Sequence, residues 1–185
     1  MPMRWSFSFV IHLAFFTLCL GAVNGSFASD DSRFSEYEIK GAFLYKFAKF
    51  TEWPKSSFPD STTPITICVF GDDPFGDILD SLKNIQVHGR PLSIKKSKEI
   101  DALKECHVVF ICASEKKRSE EVLDKLKGFP VLTVGEMEGF ARKDGIINFV
   151  TTGKKVQFEV NLDAVGKSGL KIGSQLLVVA RIVRP

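Results

Sequence analysis

Three apolar runs of strand length, Ile65–Phe70 (ITICVF), 107–112 (HVVFIC) and 131–134 (VLTV), alternate with segments of helical character. This alternation limits the fold more than any other feature of the chain. Strands that read as continuous apolar runs are buried on both faces, and helical crossovers provide that cover for a parallel sheet. Between them the sequence predicts a helix over 75–82, with Asp73 as N-cap and Pro74 in its first turn. A weaker strand is expected at 92–95, a short helix at 99–104, and an amphipathic helix at 114–126 that turns Val122, Leu123 and Leu126 inward. The last third differs. Segments 145–151 (GIINFVT) and 156–160 (VQFEV), joined by Thr152-Gly153-Lys154-Lys155, read as a hairpin and make the sheet mixed. A short helix at 162–168 closed by Gly169 follows, then a longer one at 173–183 striped by Leu176, Leu177, Ala180 and Val183. The predicted class is α/β: a three-layer Rossmann-like mixed sheet with flanking helices and a C-terminal β-hairpin plus helices.

The first 28 residues read as a cleaved export signal. Arg4 gives a positive start, 9–20 an apolar stretch interrupted by His12 and Thr17, and Ser26-Phe27-Ala28 a small-x-small cleavage site, so the mature chain is expected to begin at Ser29. The stretch is shorter than the roughly 20 apolar residues of a spanning helix, and Leu18 before Cys19 does not suit a lipoprotein site. Without residues 1–28, the 185-residue chain keeps 157, enough for one domain with its own core. Its 25 basic residues less Arg4, against 22 acidic ones, leave +2 with the signs interspersed. That balance, and lysine clusters as short as Lys95-Lys96-Lys98 and Lys116-Lys117-Arg118, argue against nucleic acid.

Segment 36–50 (EYEIKGAFLYKFAKF) has helical periodicity through Ile39, Phe43, Phe47 and Phe50, with Lys40, Lys46 and Lys49 expected on the wet side. Trp53-Pro54 ends it, and 54–64 reads as a loop. Apolar residues cover more than one stripe of this helix, which points to a second contact surface toward a partner or another copy. Tyr45 and Trp53 are its candidate contact residues.

No motif carries catalysis. The first strand-to-helix turn reads Gly71-Asp72-Asp73-Pro74-Phe75-Gly76-Asp77, which places carboxylates where a dinucleotide fold holds phosphate, and Pro74 lacks a donor. His88 and His107 stand in no Ser-His-acid pattern, and Glu136 and Glu138 lack a partner that would set distinct acid and base roles. His88 and Arg90, in Val87-His88-Gly89-Arg90-Pro91, form a weak candidate contact for an anion or a partner, against the plainer reading of a loop. No cofactor or metal is expected: Cys106-His107 are neighbours without a paired ligand knuckle.

Export bears on the cysteines, since thiols outside the cytoplasm tend to oxidise. Cys68, Cys106 and Cys112 allow at most one internal bridge. Cys68 to Cys106 is preferred over Cys68 to Cys112, and three separate buried thiols are the alternative.

From Tyr37 onward the chain resembles the YfiR family of exported bacterial proteins. The matching stretches are Gly41-Ala42-Phe43-Leu44-Tyr45-Lys46-Phe47 through Trp53-Pro54, Ile67-Cys68-Val69-Phe70-Gly71-Asp72-Asp73-Pro74-Phe75, Val87-His88-Gly89-Arg90, Gly145-Ile146-Ile147-Asn148-Phe149, Phe158-Glu159-Val160-Asn161 and Leu176-Leu177-Val178-Val179-Ala180. The resemblance implies a periplasmic regulator that binds the sensory region of a membrane diguanylate cyclase and holds it inactive, lowering cyclic di-GMP and biofilm formation until redox or envelope stress releases it. It also implies that Cys68 and Cys106 bridge. A second family pair near the final hairpin has no counterpart, because Asn148 and Thr151 lie in a region without Cys.

The expectation is therefore a non-enzymatic, homodimeric periplasmic regulator acting by contact on a membrane sensor such as a diguanylate cyclase or histidine kinase. No membrane insertion is expected after cleavage. A small-ligand receptor with a pocket near His88 and Arg90 is the alternative, and an exported hydrolase the third.

Overall fold

The computed structural model describes residues 31–185, with side chains from Glu36 onward. The export signal read at 1–28 lies outside the described residues. Helix α1 (Asp31–Lys49) runs into strand β1 (Thr51–Glu52), and β2 (Ile65–Phe70) opens the main sheet. There follow β3 (Gln86–Val87), β4 (Arg90–Ser97), β5 (Val108–Ile111), α2 (Ser119–Leu126), β6 (Leu132–Gly135), and the hairpin β7 (Ile147–Thr152) with β8 (Lys155–Asn161). The chain ends in α3 (Leu162–Ser168), β9 (Lys171–Ile172), α4 (Ser174–Leu177) and β10 (Arg181–Val183).

The described sheet has eight strands in the order β10-β8-β7-β6-β5-β2-β4-β3, and β1 pairs separately with β9. From β4 through β2, β5 and β6 to β7 every pairing is parallel, and β7 to β8 is antiparallel, so the mixed Rossmann-like layering is present. Side chains alternate between two cores. Ile65, Ile67 and Val69 join Val108, Phe110, Val134, Phe149 and Phe158 beneath Leu44 and Phe47 of α1. Cys68, Phe70, Val109 and Ile111 face the other way, onto Val122, Leu123 and Leu126 of α2. Burial on both faces explains why these strands carry no polar alternation.

Five expectations are corrected. Segment 75–82 is not an α-helix: the Asp73 carboxylate accepts from the Phe75 N–H at 2.8 Å, closing a turn two residues on, Gly76 takes φ 56°, and only a 3-10 turn forms at Ile78–Leu82. The helix expected over 173–183 stops at Leu177, and Arg181–Val183 becomes a strand parallel to β8. A run of β-branched residues beside an open sheet edge favours the extended form. Segment 114–126 splits into a 3-10 turn, Ala113–Glu115, and α2, while 99–104 is a 3-10 turn at Asp101–Glu105. Finally, Lys40 is not on the wet side. It is 3% exposed on the inward stripe with Gly41, Leu44, Phe47 and Ala48, whereas Ile39 is 37% exposed.

Candidate functional site

Winding reverses at β2, whose neighbours are β4 on one side and β5 on the other. In doubly wound sheets this reversal opens a crevice at the carboxyl ends of the two central strands, the usual place for a ligand. Here the crevice is lined by the turn after β2 (Gly71 to Phe75), the turn after β5 (Cys112 to Glu115) and Glu136, which follows β6. Gly71, at φ 105°, lets the two turns touch: a Cβ there would lie 2.6 Å from Ser114 Oγ and Glu115 Cγ. The Asp72 N–H donates to Ser114 Oγ at 3.0 Å, Lys98 reaches Asp72 at 2.8 Å, and Lys96 reaches Asp73 at 2.6 Å.

α1 fills the crevice with its own side chains. Lys40 Nζ lies 2.6 Å from Glu136 Oε2 and 2.5 Å from Glu36 Oε1, and the Glu136 side chain is only 6% exposed. The Tyr37 hydroxyl donates to Glu136 at 3.3 Å, the Ala113 N–H donates to Glu136 Oε1 at 3.3 Å, and the ammonium stands 4.6 Å from the Tyr37 ring centre. The Thr151 hydroxyl donates to Glu36 at 2.9 Å, so the cluster also ties α1 to the hairpin. Burial raises the Tyr37 phenol, and the Glu136 charge raises it further. Burial likewise raises the Cys112 thiol, helped by Glu136, Asp73, Glu115 and Asp72, which disfavours the reactive thiolate. Burial pushes the Glu36 carboxyl up, but the hydrogen bonds from Lys40 and Thr151 and the Lys40 charge outweigh it and leave the group below its ordinary value. Such an arrangement locks a helix in place; it activates no nucleophile.

A second cluster lies at the amino ends of the strands. His107 Nδ1 accepts from the Thr66 N–H at 3.1 Å, and Nε2 stands 3.3 Å from the Ser57 carbonyl oxygen, which fixes the neutral tautomer with its proton on Nε2. Phe58 stacks on the imidazole at 4.6 Å, and the Arg90 guanidinium covers the other face of Phe58 at 4.0 Å. The Trp53 indole N–H donates to the His107 carbonyl at 3.2 Å. Arg90 Nη1 donates to the carbonyls of Asp60 and Thr63 at 2.7 and 2.9 Å. Hydrogen bonds from Thr62 and Thr63 hold the Asp60 carboxyl down to about 2, which stiffens the same loop. Burial depresses the His107 imidazole; the Ser57 bond opposes this and the Arg90 charge adds to it.

Of the candidate contact residues, Trp53 and Arg90 meet in this second cluster, joined through His107 and Phe58. His88 does not join them: it is exposed at φ 53° and, with Gly89 at φ 74°, forms the two-residue turn between β3 and β4. Tyr45 is half-buried on α1, 5.9 Å from Lys49 Nζ. Cys68 and Cys106 are bridged, with Cα atoms 6.0 Å apart, and Cys112 is free and buried. Cys112 points to the α1 side of the sheet and Cys68 to the α2 side, which rules out a bridge between those two. A cleft of about 310 Å³ lies between α2 and α3, edged by Lys127, Lys143 and Lys167 above Leu126, Phe129 and Ile146.

Sequence reasoning missed Lys40 and Glu136 because 96 positions separate them. The available signal was the position of Lys40, four residues before Leu44 on the stripe that Leu44, Phe47 and Ala48 define. Among the described residues, no group of three or more His, Cys, Asp or Glu could hold a metal ion, and no helix is long and apolar enough to cross a membrane.

Fold and clusters define a Rossmann-like mixed α/β domain whose switch point is closed by its own first helix. The sequence pattern of the YfiR/HmsC-like family matches residues 37–181, and the chain belongs to that family. In structure, the chain is similar to an ABC domain solved in complex with L-Trp from Streptococcus pneumonia, at a TM-score of 0.46 and 7% identity over 64% of this chain and 55% of that one.

Proposed function

We propose that the chain is a periplasmic regulator that binds the outer, sensory region of an inner-membrane signalling protein of the diguanylate cyclase type and represses it, lowering cyclic di-GMP and biofilm formation. The observation that carries this reading is family membership across residues 37–181, nearly the whole described domain. The switch point supports it, because Lys40, Tyr37 and Glu136 occupy the place where a fold of this layering takes a substrate. A protein whose usual ligand crevice is filled by its own helix is suited to work through its outer surface. Residues 1–28 act as the cleaved export signal, 29–185 as the regulatory domain, and the working form is a homodimer.

The proposed contact set is Tyr45, Trp53, His88 and Arg90. His88 is exposed and Tyr45 half-buried, so a partner can reach both, while Trp53 is tied to the His107 carbonyl and Arg90 to the Asp60 carbonyl. Isothermal titration of the purified chain with the sensory region of a membrane diguanylate cyclase from the same cell tests the reading. Saturable binding is expected, weakened about tenfold or more by Tyr45→Ala or His88→Ala, the effect of losing one well-packed contact residue. Absence of binding at high micromolar concentration contradicts it. The cleft between α2 and α3 favours a second reading, a small-ligand sensor module feeding a membrane receptor.

A further inference from the structure

Val178 is 83% exposed, Val179 64% and Ile182 44%. All three lie where α4 passes into β10, the outermost strand beside β8. Three aliphatic side chains so close together in water mark a surface that something covers.

The charges around them are mostly of one sign. Between Val165 and Pro185 the chain carries Lys167, Lys171, Arg181 and Arg184 and neither Asp nor Glu. The last turn of α1 adds Lys46 and Lys49, and the Gly173 N–H ties this segment to it by donating to the Phe50 carbonyl at 2.8 Å. Three of the cations have acidic neighbours: Lys167 pairs with Asp144, Arg181 pairs with buried Glu159, and Lys171 stands opposite Glu52 in the β1–β9 pair. Lys46, Lys49 and Arg184 are exposed, and none of them is ion-paired to a described carboxylate.

We propose that this edge is a peripheral membrane-docking surface: Val178, Val179 and Ile182 enter the headgroup region of an anionic phospholipid bilayer while Lys46, Lys49 and Arg184 meet lipid phosphates. Protruding aliphatic residues ringed by cations match a layer that is anionic outside and apolar beneath. A partner strand suits the edge less well, since β10 has only three residues and the two most exposed valines precede it. A second copy suits it less well too, because pairing two such edges brings Arg181 and Arg184 of both together. The inference goes beyond the regulatory reading and does not depend on it. Docking would lay the chain on the surface from which a membrane sensor projects.

Co-sedimentation with vesicles tests it, using purified chain whose N-terminus is verified by mass spectrometry so that residues 1–28 do not supply the anchor. Vesicles of phosphatidylethanolamine with phosphatidylglycerol are compared with vesicles of phosphatidylcholine alone. Expected is binding about tenfold or more stronger to the anionic vesicles and weakened by salt. The pairs Val178→Ser with Val179→Ser, and Lys46→Gln with Lys49→Gln, each lower it about tenfold while the circular dichroism spectrum is unchanged. Equal partition into both vesicle types overturns the proposal, as does binding that neither variant diminishes. A lipid-free shift of the serine variant to a smaller species also overturns it, by assigning the edge to self-association. No sensor is present in these mixtures, so failure here and failure of the regulatory reading are separate results.

Discussion

At the residue scale the cost of a buried charge decides the most. Lys40 is 3% exposed and held between Glu136 and Glu36, so removing it leaves the enclosed Glu136 side chain without its cationic partner. Lys40→Met is expected to lower stability by about 3–5 kcal/mol, and adding Glu136→Gln should restore much of that loss, because breaking a buried pair costs more than replacing it. Urea denaturation of the single and double variants measures both. His107 gives a pH signature. Burial lowers its folded pKa below the ordinary 6.5, so between the two values the unfolded chain binds the extra proton. The stability that His107 contributes is full above about 6.5 and is lost as pH falls toward the folded value. Urea midpoints taken from pH 7 down to pH 5 should therefore decline, and His107→Gln, which is neutral throughout, should flatten the decline. The cysteines were partly legible: their odd number and strand positions allowed one bridge, and the opposite faces of Cys68 and Cys112 settled which. Lys40 was not legible, because lysine in an amphipathic pattern marks the wet face unless a distant carboxylate is known to meet it.

At the element scale, apolar strands were readable and short helices were not. Ile65–Phe70 has the limits read from the sequence, since a fully apolar run bounded by Pro64 and Gly71 has few alternatives. Leu162–Ser168 also matches: Asn161 caps it by accepting from the Ala164 N–H at 3.0 Å, and Gly169 ends it at φ 73°. The misreadings at 75–82 and 173–183 share a cause, namely that helical spacing over eight to eleven residues is outweighed by a local turn or a free sheet edge. The Cys68–Cys106 bridge pins β2 to the 3-10 turn before β5 and closes a 38-residue loop. Cys68→Ser should cost about 2–5 kcal/mol, mostly by freeing the unfolded chain. Thermal unfolding of the variant against the oxidised parent checks this, and equal midpoints contradict it.

At the scale of the whole molecule, alternating strands and helices foretold the layering, whereas the strand order and the closed switch point came from long-range packing that no local pattern encodes. α1 lies over one face, α2 and the disulfide over the other, and the chain belongs to the YfiR/HmsC-like family. The central claim is that this domain acts outside the cytoplasmic membrane to restrain a cyclic di-GMP signal. Intracellular cyclic di-GMP tests it most directly, measured in cells lacking the gene and in the same cells supplied with either the complete chain or a chain without residues 1–28. The account predicts that the level rises on deletion and that only the complete chain restores it. An unchanged level on deletion, or equal restoration by the chain without its export segment, would contradict it.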